Sequence, residues 1–278
     1  MKKVAIQGIE GSYHAITAKE FFPKEEVELI CCSTFEDIFA FIEQNPEGIG
    51  IVAIENTIAG SLLQNHELMR KNNVKIIGEH KLRISHCIAC LPEDDLTTLN
   101  EVNSHPIALM QCTQFLREHP QLKIVEVEDT ALSAKLIAKK RLMGHAAICS
   151  ILAAEVFGLK VLQKGIETNK QNYTRFLIIV HPDHDLAKNN HHPVDTASLV
   201  FTLPHTTGSL ATILSILARH NINLTKIQSL PIIGRPWEYQ FYITVSFSNR
   251  NEYQQALVEI APQISELKII GEYAKFKK

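Results

Sequence analysis

The chain of 278 residues lacks any stretch approaching the roughly 18 consecutive apolar residues that a membrane-spanning helix needs. Its opening lysines, Lys2 and Lys3, lead into an apolar run before Gly8 that is too short for the core of a signal peptide, so a soluble cytoplasmic protein is expected. Charge of one sign is lacking too. Lys and Arg total 28 against 30 Asp and Glu, a net charge of −2, which offers no broad attraction to nucleic acid or an anionic membrane and leaves a small molecule as the default partner. Gly8 and Gly11 flank a turn, but neither G-x-G-x-x-G nor a G-K-[ST] ending is present, which argues against a nucleotide site. The six cysteines sit mostly in apolar stretches, where a reduced thiol acts as a small hydrophobe, and the lone C-x-x-C of Cys87 and Cys90 has no second pair at finger spacing; no metal is expected. Nor can a Ser-His-Asp or Cys-His arrangement be assigned from linear spacing.

What is present is ordinary globular composition, 45% hydrophobic and 21% charged, in a chain long enough for two domains with cores of their own. Short β-rich runs alternate with amphipathic stretches: strands over 4–7, 27–32, 49–54 and 74–84, helices over 15–22, 35–44 and 62–71. The theme repeats with one helix over 107–119, a strand over 122–128, helices over 131–140 and 151–158, and strands over 146–150 and 174–180. Such alternation predicts an α/β fold with largely parallel strands. Ser33 or Thr34, with Glu36 and Asp37 behind it, has the spacing of a capping box, and Asp129 or Thr130 opens the helix over 131–140. Residues 181–196 lose periodicity and collect prolines, asparagines and charges, including His191 and His192, as a linker does. The organisation expected is a first domain over 1–182, a linker over 183–196 and a second domain over 197–278, whose βαββαβ order is ferredoxin-like.

Polar residues where apolar strands end are the informative ones, because open α/β sheets bind ligands there. Ser12 and Ser104 stand at helix N-termini, where free N–H groups suit a carboxylate; either serine could equally be a simple cap. Glu55 directly follows an apolar strand, at a partly desolvated place that suits a proton donor, although a surface Glu reads the same way. Gln111 lies among apolar neighbours, where its amide needs a hydrogen-bond partner. Thr174 and Arg175 interrupt an apolar run, as a cation meeting an anionic substrate would, or as a surface pair.

Taken together these residues resemble the prephenate dehydratase family, in its monofunctional form without a fused chorismate mutase. The likeness rests on Gln7-Gly8 through Gly11-Ser12-Tyr13, on Ile54-Glu55-Asn56 with Gly60, and on Ser104-His105-Pro106 with Gln111-Cys112. Ala146-Ala147-Ile148 and Gly158-Leu159 add to it, and Asn172-Tyr173-Thr174-Arg175-Phe176 matches the N-x-T-R-F signature. The resemblance implies a two-lobed, periplasmic-binding-protein-like catalytic domain with the site between lobes, and a cofactor-free conversion of prephenate to phenylpyruvate. It implies Thr174, Glu55, Asn56 and Gln111 as catalytic residues and Arg175, Phe176, Ser104 and Ser12 as substrate-binding ones. On that basis Thr174 is assigned as hydrogen-bond donor to the leaving oxygen and Glu55 as proton source. His14 departs from the small hydroxyl residue that relatives carry after the tyrosine.

The second domain resembles the ACT domain of these enzymes, which implies phenylalanine as effector and a homodimer or homotetramer. Gly208, Ser209, Leu210 and Ala211, with Asn223 and Leu224, stand at the family's effector positions. Gln228, Ser229, Leu230 and Pro231 replace E-S-R-P, losing an acid and an arginine. Two rivals share the features: a non-enzymatic binding protein, and an arogenate dehydratase acting on the transaminated substrate.

Overall fold

The structure is a computed structural model that describes residues 1–188, 194–232, 234–235 and 238–276. His191 and His192, assigned above to the linker, lie outside the described residues, as does Trp237 at the head of a predicted strand.

In chain order the first elements are β1 (Lys2–Gln7), α1 (Tyr13–Phe21), β2 (Val27–Cys32), α2 (Phe35–Gln44), β3 (Ile49–Asn56), β4 (Gly60–Ser61), α3 (Leu63–Lys71) and β5 (Lys75–Arg83). Then come β6 (Cys87–Cys90), β7 (Glu101–Ser104), α4 (Pro106–Gln111), α5 (Thr113–Glu118), β8 (Lys123–Glu126), α6 (Thr130–Lys140), β9 (His145–Cys149), α7 (Ile151–Val156), β10 (Lys160–Lys164) and β11 (Tyr173–Val180). They build two mixed sheets. The first has the order β2-β1-β3-β11-β5, with β4 on β3, and the second β10-β6-β9-β7-β8. In the first, β1 pairs in parallel with β2 and β3. The apolar run of β3, and the shorter run over 4–6 in β1, are what strands buried on both faces require. In the second sheet the period of two sorts the cysteines. Cys87, Ala89, Ala147 and Cys149 pack with α6 and α7 in one core cluster, while Ile88, Cys90, Ala146 and Ile148 pack with α4 and α5 in another. Cys87 and Cys90 therefore face opposite sides of β6, each as a buried packing group.

Local signals act as expected at two helices. Thr34 N donates to Asp37 Oδ2 and Asp37 N to Thr34 Oγ1, a reciprocal capping box before α2. Asp129 Oδ1 accepts from Leu132 N at the start of α6. The single helix expected over 107–119 is instead two, α4 and α5, broken at Cys112 (φ −107°, ψ 26°). Thr168 supplies the reason: its N–H donates to Gln111 O at 2.8 Å and its Oγ1 accepts from Gln114 N at 3.0 Å, diverting groups a continuous helix would pair.

After α8 (Asp185–Lys188), the elements β12 (Thr196–Thr202), α9 (Ser209–Arg219), β13 (Asn223–Pro231), β14 (Tyr239–Ser246), α10 (Arg250–Ile260) and β15 (Glu266–Tyr273) give the expected βαββαβ order. Their antiparallel sheet runs β13-β14-β12-β15, and its core joins Leu199, Phe201, Ile243 and Val245 to Ile213, Ile216, Leu217 and Tyr253 of the two helices.

Two compact units result. One comprises Met1–Phe41, Ile49–Leu62 and His80–Phe176; the other Ile42–Gly48, Leu63–Glu79 and Leu177–Lys278, which groups the βαββαβ elements with α3. Among the described residues no helix is long and apolar enough to cross a membrane.

Candidate active site

The first unit holds a cavity of about 360 Å³ whose lining includes the openings of several helices: Ser12, Tyr13 and His14 at α1, His105, Ile107 and Ala108 at α4, and Asp129 and Thr130 at α6. No lysine or arginine is among the described lining residues. The positive dipole ends of these helices, each with one N–H already capped by Ser12, His105 or Asp129, are the positive elements that border the cavity. Gly11, at φ 89°, lets the start of α1 approach α7, since a Cβ there would lie 2.7 Å from Ala153 Cα.

A chain of buried side-chain hydrogen bonds runs through one wall. Tyr13 Oη lies 2.8 Å from His86 Nδ1, and His86 Nε2 2.9 Å from Gln111 Oε1. Asn172 Nδ2 donates to Gln111 Oε1 at 2.9 Å, Asn56 Nδ2 to Asn172 Oδ1 at 2.8 Å, and Asn56 Nδ2 to Thr174 Oγ1 at 3.0 Å. The orientation of Asn56 is set by the main chain: Ile58 N and Ala59 N donate to its Oδ1 at 2.9 and 2.8 Å, so Nδ2 must face Asn172 and Thr174. Thr174 Oγ1 is thus an acceptor within the wall, and its own proton is left for the cavity it lines.

Burial tunes the titratable lining. His14, ring to ring with Phe176 at 4.9 Å, is pushed down to about 3 by desolvation and is neutral at ordinary pH; its Nε2 has no hydrogen-bond partner. Burial also lowers His86, partly offset by its bond to Gln111, and raises the carboxyl of Asp129. His105 Nδ1 accepts from Ile107 N as the cap of α4.

Of the residues singled out from sequence, Thr174, Asn56, Gln111, Phe176 and Ser12 line the cavity together. Ser12 Oγ also caps α1 by accepting from Ala15 N. Three others stand elsewhere. Ser104 is fully buried and donates to Ile148 O at 2.6 Å, and the cap of α4 is His105. Arg175 alternates along β11 with Thr174 and Phe176, which puts it on the opposite face of the strand. Glu55 is half-buried opposite Ser61 and is not among the lining residues. The carboxylates that do line the cavity are Glu128 and Asp129, of which sequence reasoning saw only Asp129, as a cap. His86 and Tyr13 were given no role; the one available signal was a Ser-His pair directly before the apolar β6. In the second unit, Gly208 precedes α9 at φ 87°, Ser209 Oγ bonds Pro204 O and Thr206 O, and Asn223 and Leu224 open β13. Leu210 packs on the core of that unit, Ala211 is exposed, and Gln228 Nε2 donates to Ser229 O.

Two mixed sheets with their helices, a cavity lined by helix N-termini and a row of hydrogen-bonded polar side chains, and an appended βαββαβ domain define a two-part α/β protein with a candidate small-molecule site. The model of the prephenate dehydratase family matches residues 4–184 and that of the ACT domain residues 197–252. The chain belongs to the prephenate dehydratase family. It is 31% identical over 274 residues to a bifunctional chorismate mutase/prephenate dehydratase of Escherichia coli, covering 98% of this chain and 70% of that one. With an arogenate dehydratase/prephenate dehydratase of Arabidopsis thaliana it is 32% identical over 281 residues, covering 98% and 72%. Among solved structures, prephenate dehydratase from Arthrobacter aurescens in complex with L-Phe superposes with a TM-score of 0.86 at 24% identity, covering 98% of this chain and 89% of that one. GqqA, described as a novel type of quorum quenching acylase, gives 0.89 at 27% identity, covering 99% and 98%.

Proposed function

We propose that this protein is a carbon–oxygen lyase that turns prephenate into phenylpyruvate, water and carbon dioxide. The observation that carries the reading is the pinned amide of Asn56, which makes Thr174 Oγ1 an acceptor and frees its proton toward the cavity. As the carboxylate C–C bond breaks, its electron pair enters the ring and the ring C–OH bond expels hydroxide, which takes a proton to leave as water. Aromatisation drives the step downhill, so the protein's work is to orient the anion and stabilise the leaving oxygen. Thr174 donates a hydrogen bond to that oxygen. Asp129, the lining carboxyl that burial raises, supplies the proton in place of Glu55. The helix N-termini hold the substrate carboxylates, with Gln111 and Ser12 beside them and Phe176 as an apolar wall.

The working organisation is a catalytic domain over 1–182, a linker over 183–196 and an ACT domain over 197–278, in a cytoplasmic homodimer or homotetramer. The ACT domain senses phenylalanine through Gly208–Ala211, Asn223, Leu224, Gln228 and Ser229; the family match and the L-Phe bound to the Arthrobacter protein support this. Association is supported by β13, an edge strand with Ile227 exposed.

Likeness to GqqA favours a second reading, hydrolysis by an acylase. Against it, the hydroxyls of Ser12 and Thr174 face Ala15 N and Asn56 Nδ2, neither of which is a base. Incubation of the purified protein with prephenate, with arogenate and with an N-acyl amide separates the readings. Formation of phenylpyruvate from prephenate is expected. Phenylalanine from arogenate alone would make the protein an arogenate dehydratase, and amide hydrolysis without either would overturn the lyase reading.

A further inference from the structure

The direction of every hydrogen bond in the cavity wall follows from one end. Asn56 Oδ1 is held by two main-chain N–H groups, so Asn56 Nδ2 donates to Asn172 Oδ1, and Asn172 Nδ2 in turn donates to Gln111 Oε1. An oxygen that already accepts from Asn172 meets His86 Nε2 at 2.9 Å, so that nitrogen must carry a proton. The remaining question is Nδ1. Tyr13 Oη is 2.8 Å from it and 2.9 Å from Ser85 O, and the hydroxyl has one proton for two acceptors. Donation to Ser85 O would require a protonated Nδ1 and hence an imidazolium, which burial disfavours. A neutral ring requires donation from Tyr13 to Nδ1. The main chain of His86 is anchored as well: Glu167, fully buried and paired with Arg83 at 3.1 Å, accepts from the backbone His86 N at 3.0 Å.

We propose that Tyr13 and His86 are positioning residues of the dehydratase site: Tyr13 donates to His86 Nδ1, His86 Nε2–H donates to Gln111 Oε1, and together they steady the Gln111 and Asn172 amides in the one orientation that agrees with the pinned Asn56 and so keeps Thr174 a donor toward the substrate. The catalytic consequence rests on the role given to Thr174 above. The opposite tautomer would set a lone pair against Gln111 Oε1, and relief by turning that amide would press a reversed polarity along Asn172 toward Thr174.

Histidine labelled with ¹⁵N reports the tautomer through its ring nitrogen shifts. In the unaltered protein His86 is expected as Nε2–H. Tyr13→Phe should move it toward Nδ1–H and lower kcat on the order of tenfold with KM within about twofold, the scale of one misdirected buried hydrogen bond. His86→Gln, whose amide nitrogen falls where Nε2 does, should keep most of the turnover that His86→Asn, whose amide falls where Nδ1 does, loses. An Nδ1–H tautomer in the unaltered protein, an unchanged kcat in Tyr13→Phe, or an Asn variant as active as the Gln variant would overturn the proposal. A protein inert on prephenate would sink the dehydratase reading instead, while the tautomer and its response to Tyr13→Phe would still decide the relay.

Discussion

The wall around Thr174 in the first unit and the cluster around Glu67 in the second are both polar networks, built from opposite materials. Around Thr174 the members are amides, a hydroxyl and a neutral ring, with polarity dictated by two main-chain N–H groups. Around Glu67 one carboxylate on α3 accepts from Arg70 Nε and Nη2 at 3.1 and 2.8 Å, from Gln240 Nε2 at 2.8 Å and from Tyr242 Oη at 3.1 Å. These bonds, Arg70 first, hold it down to about 2, and burial raises Tyr242. Nearby, Lys268 of β15 donates to Arg70 O and Asn72 O at 2.8 and 3.0 Å, satisfying carbonyls at the end of α3. Amides do not titrate, so the first network keeps its direction as pH changes. The second exists only while its carboxylate is ionised. Orientation is what a leaving group needs from its donor, whereas a charged cluster tying α3 to the ACT sheet can be strengthened or lost.

The largest expected effect comes from removing the group the first network serves. Thr174→Ala should cut turnover by about a hundredfold or more with an unchanged circular dichroism spectrum, the loss typical of one positioned donor; near-normal turnover would take Thr174 out of the mechanism. Next is Asn56→Asp, which puts an acceptor where Asn172 Oδ1 and Thr174 Oγ1 now receive protons. Thr174 would then donate to the new carboxylate, so turnover should fall nearly as far as in Thr174→Ala, and urea unfolding should show a loss of about 2 kcal/mol. Equal stability and activity would mean the wall has no fixed polarity.

Acid stability sharpens the contrast. His14 is depressed from 6.5 to about 3 in the folded protein, so the folded state binds fewer protons than the unfolded one between those values. Its contribution is complete above about 6.5 and shrinks as pH falls toward 3, by on the order of a few kcal/mol. Glu67, depressed from 4.5 to about 2, contributes fully above 4.5 and is lost as pH falls through 2. Thermal midpoints of His14→Leu should therefore fall less than those of the unaltered protein between pH 6.5 and 4.5, while Glu67→Gln should flatten only the limb below 4.5 and change basal turnover by less than about twofold. Parallel curves for all three proteins would refute both assignments. The smallest effect is expected at Arg175, on the face of β11 away from the cavity: Arg175→Lys should leave KM within about twofold, and a large rise would return Arg175 to the binding site.

How far the site was legible depends on whether its signals are local. Thr34 and Asp37 cap α2 through groups three residues apart, and Asp129 caps α6 the same way, so sequence spacing suffices. Thr174 and Asn56 were legible as polar residues at the ends of apolar strands. The neighbours of Arg175 suggest a binding cation, whereas the alternation of β11 puts it on the face away from Thr174 and Phe176. Glu55 and Asp129 both read as acids at element ends, and only the cavity, which Asp129 lines, tells them apart.

By itself the sequence determined the α/β alternation, the βαββαβ tail, the caps of α2 and α6 and the family, because each rests on periodicity or on motifs a few residues long. Tertiary structure alone decided that Thr168 breaks the helix at Cys112, that helix N-termini rather than Arg175 face the cavity, and that Tyr13, His86, Gln111, Asn172 and Asn56 form one directed line ending at Thr174. Hydrogen-bonded partners in that line are separated by as many as 118 positions in the chain, and the polarity of a hydrogen bond between two amides is set by what lies beyond each of them. No local pattern encodes that; it arises only when the helices, strands and loops that carry them are brought together.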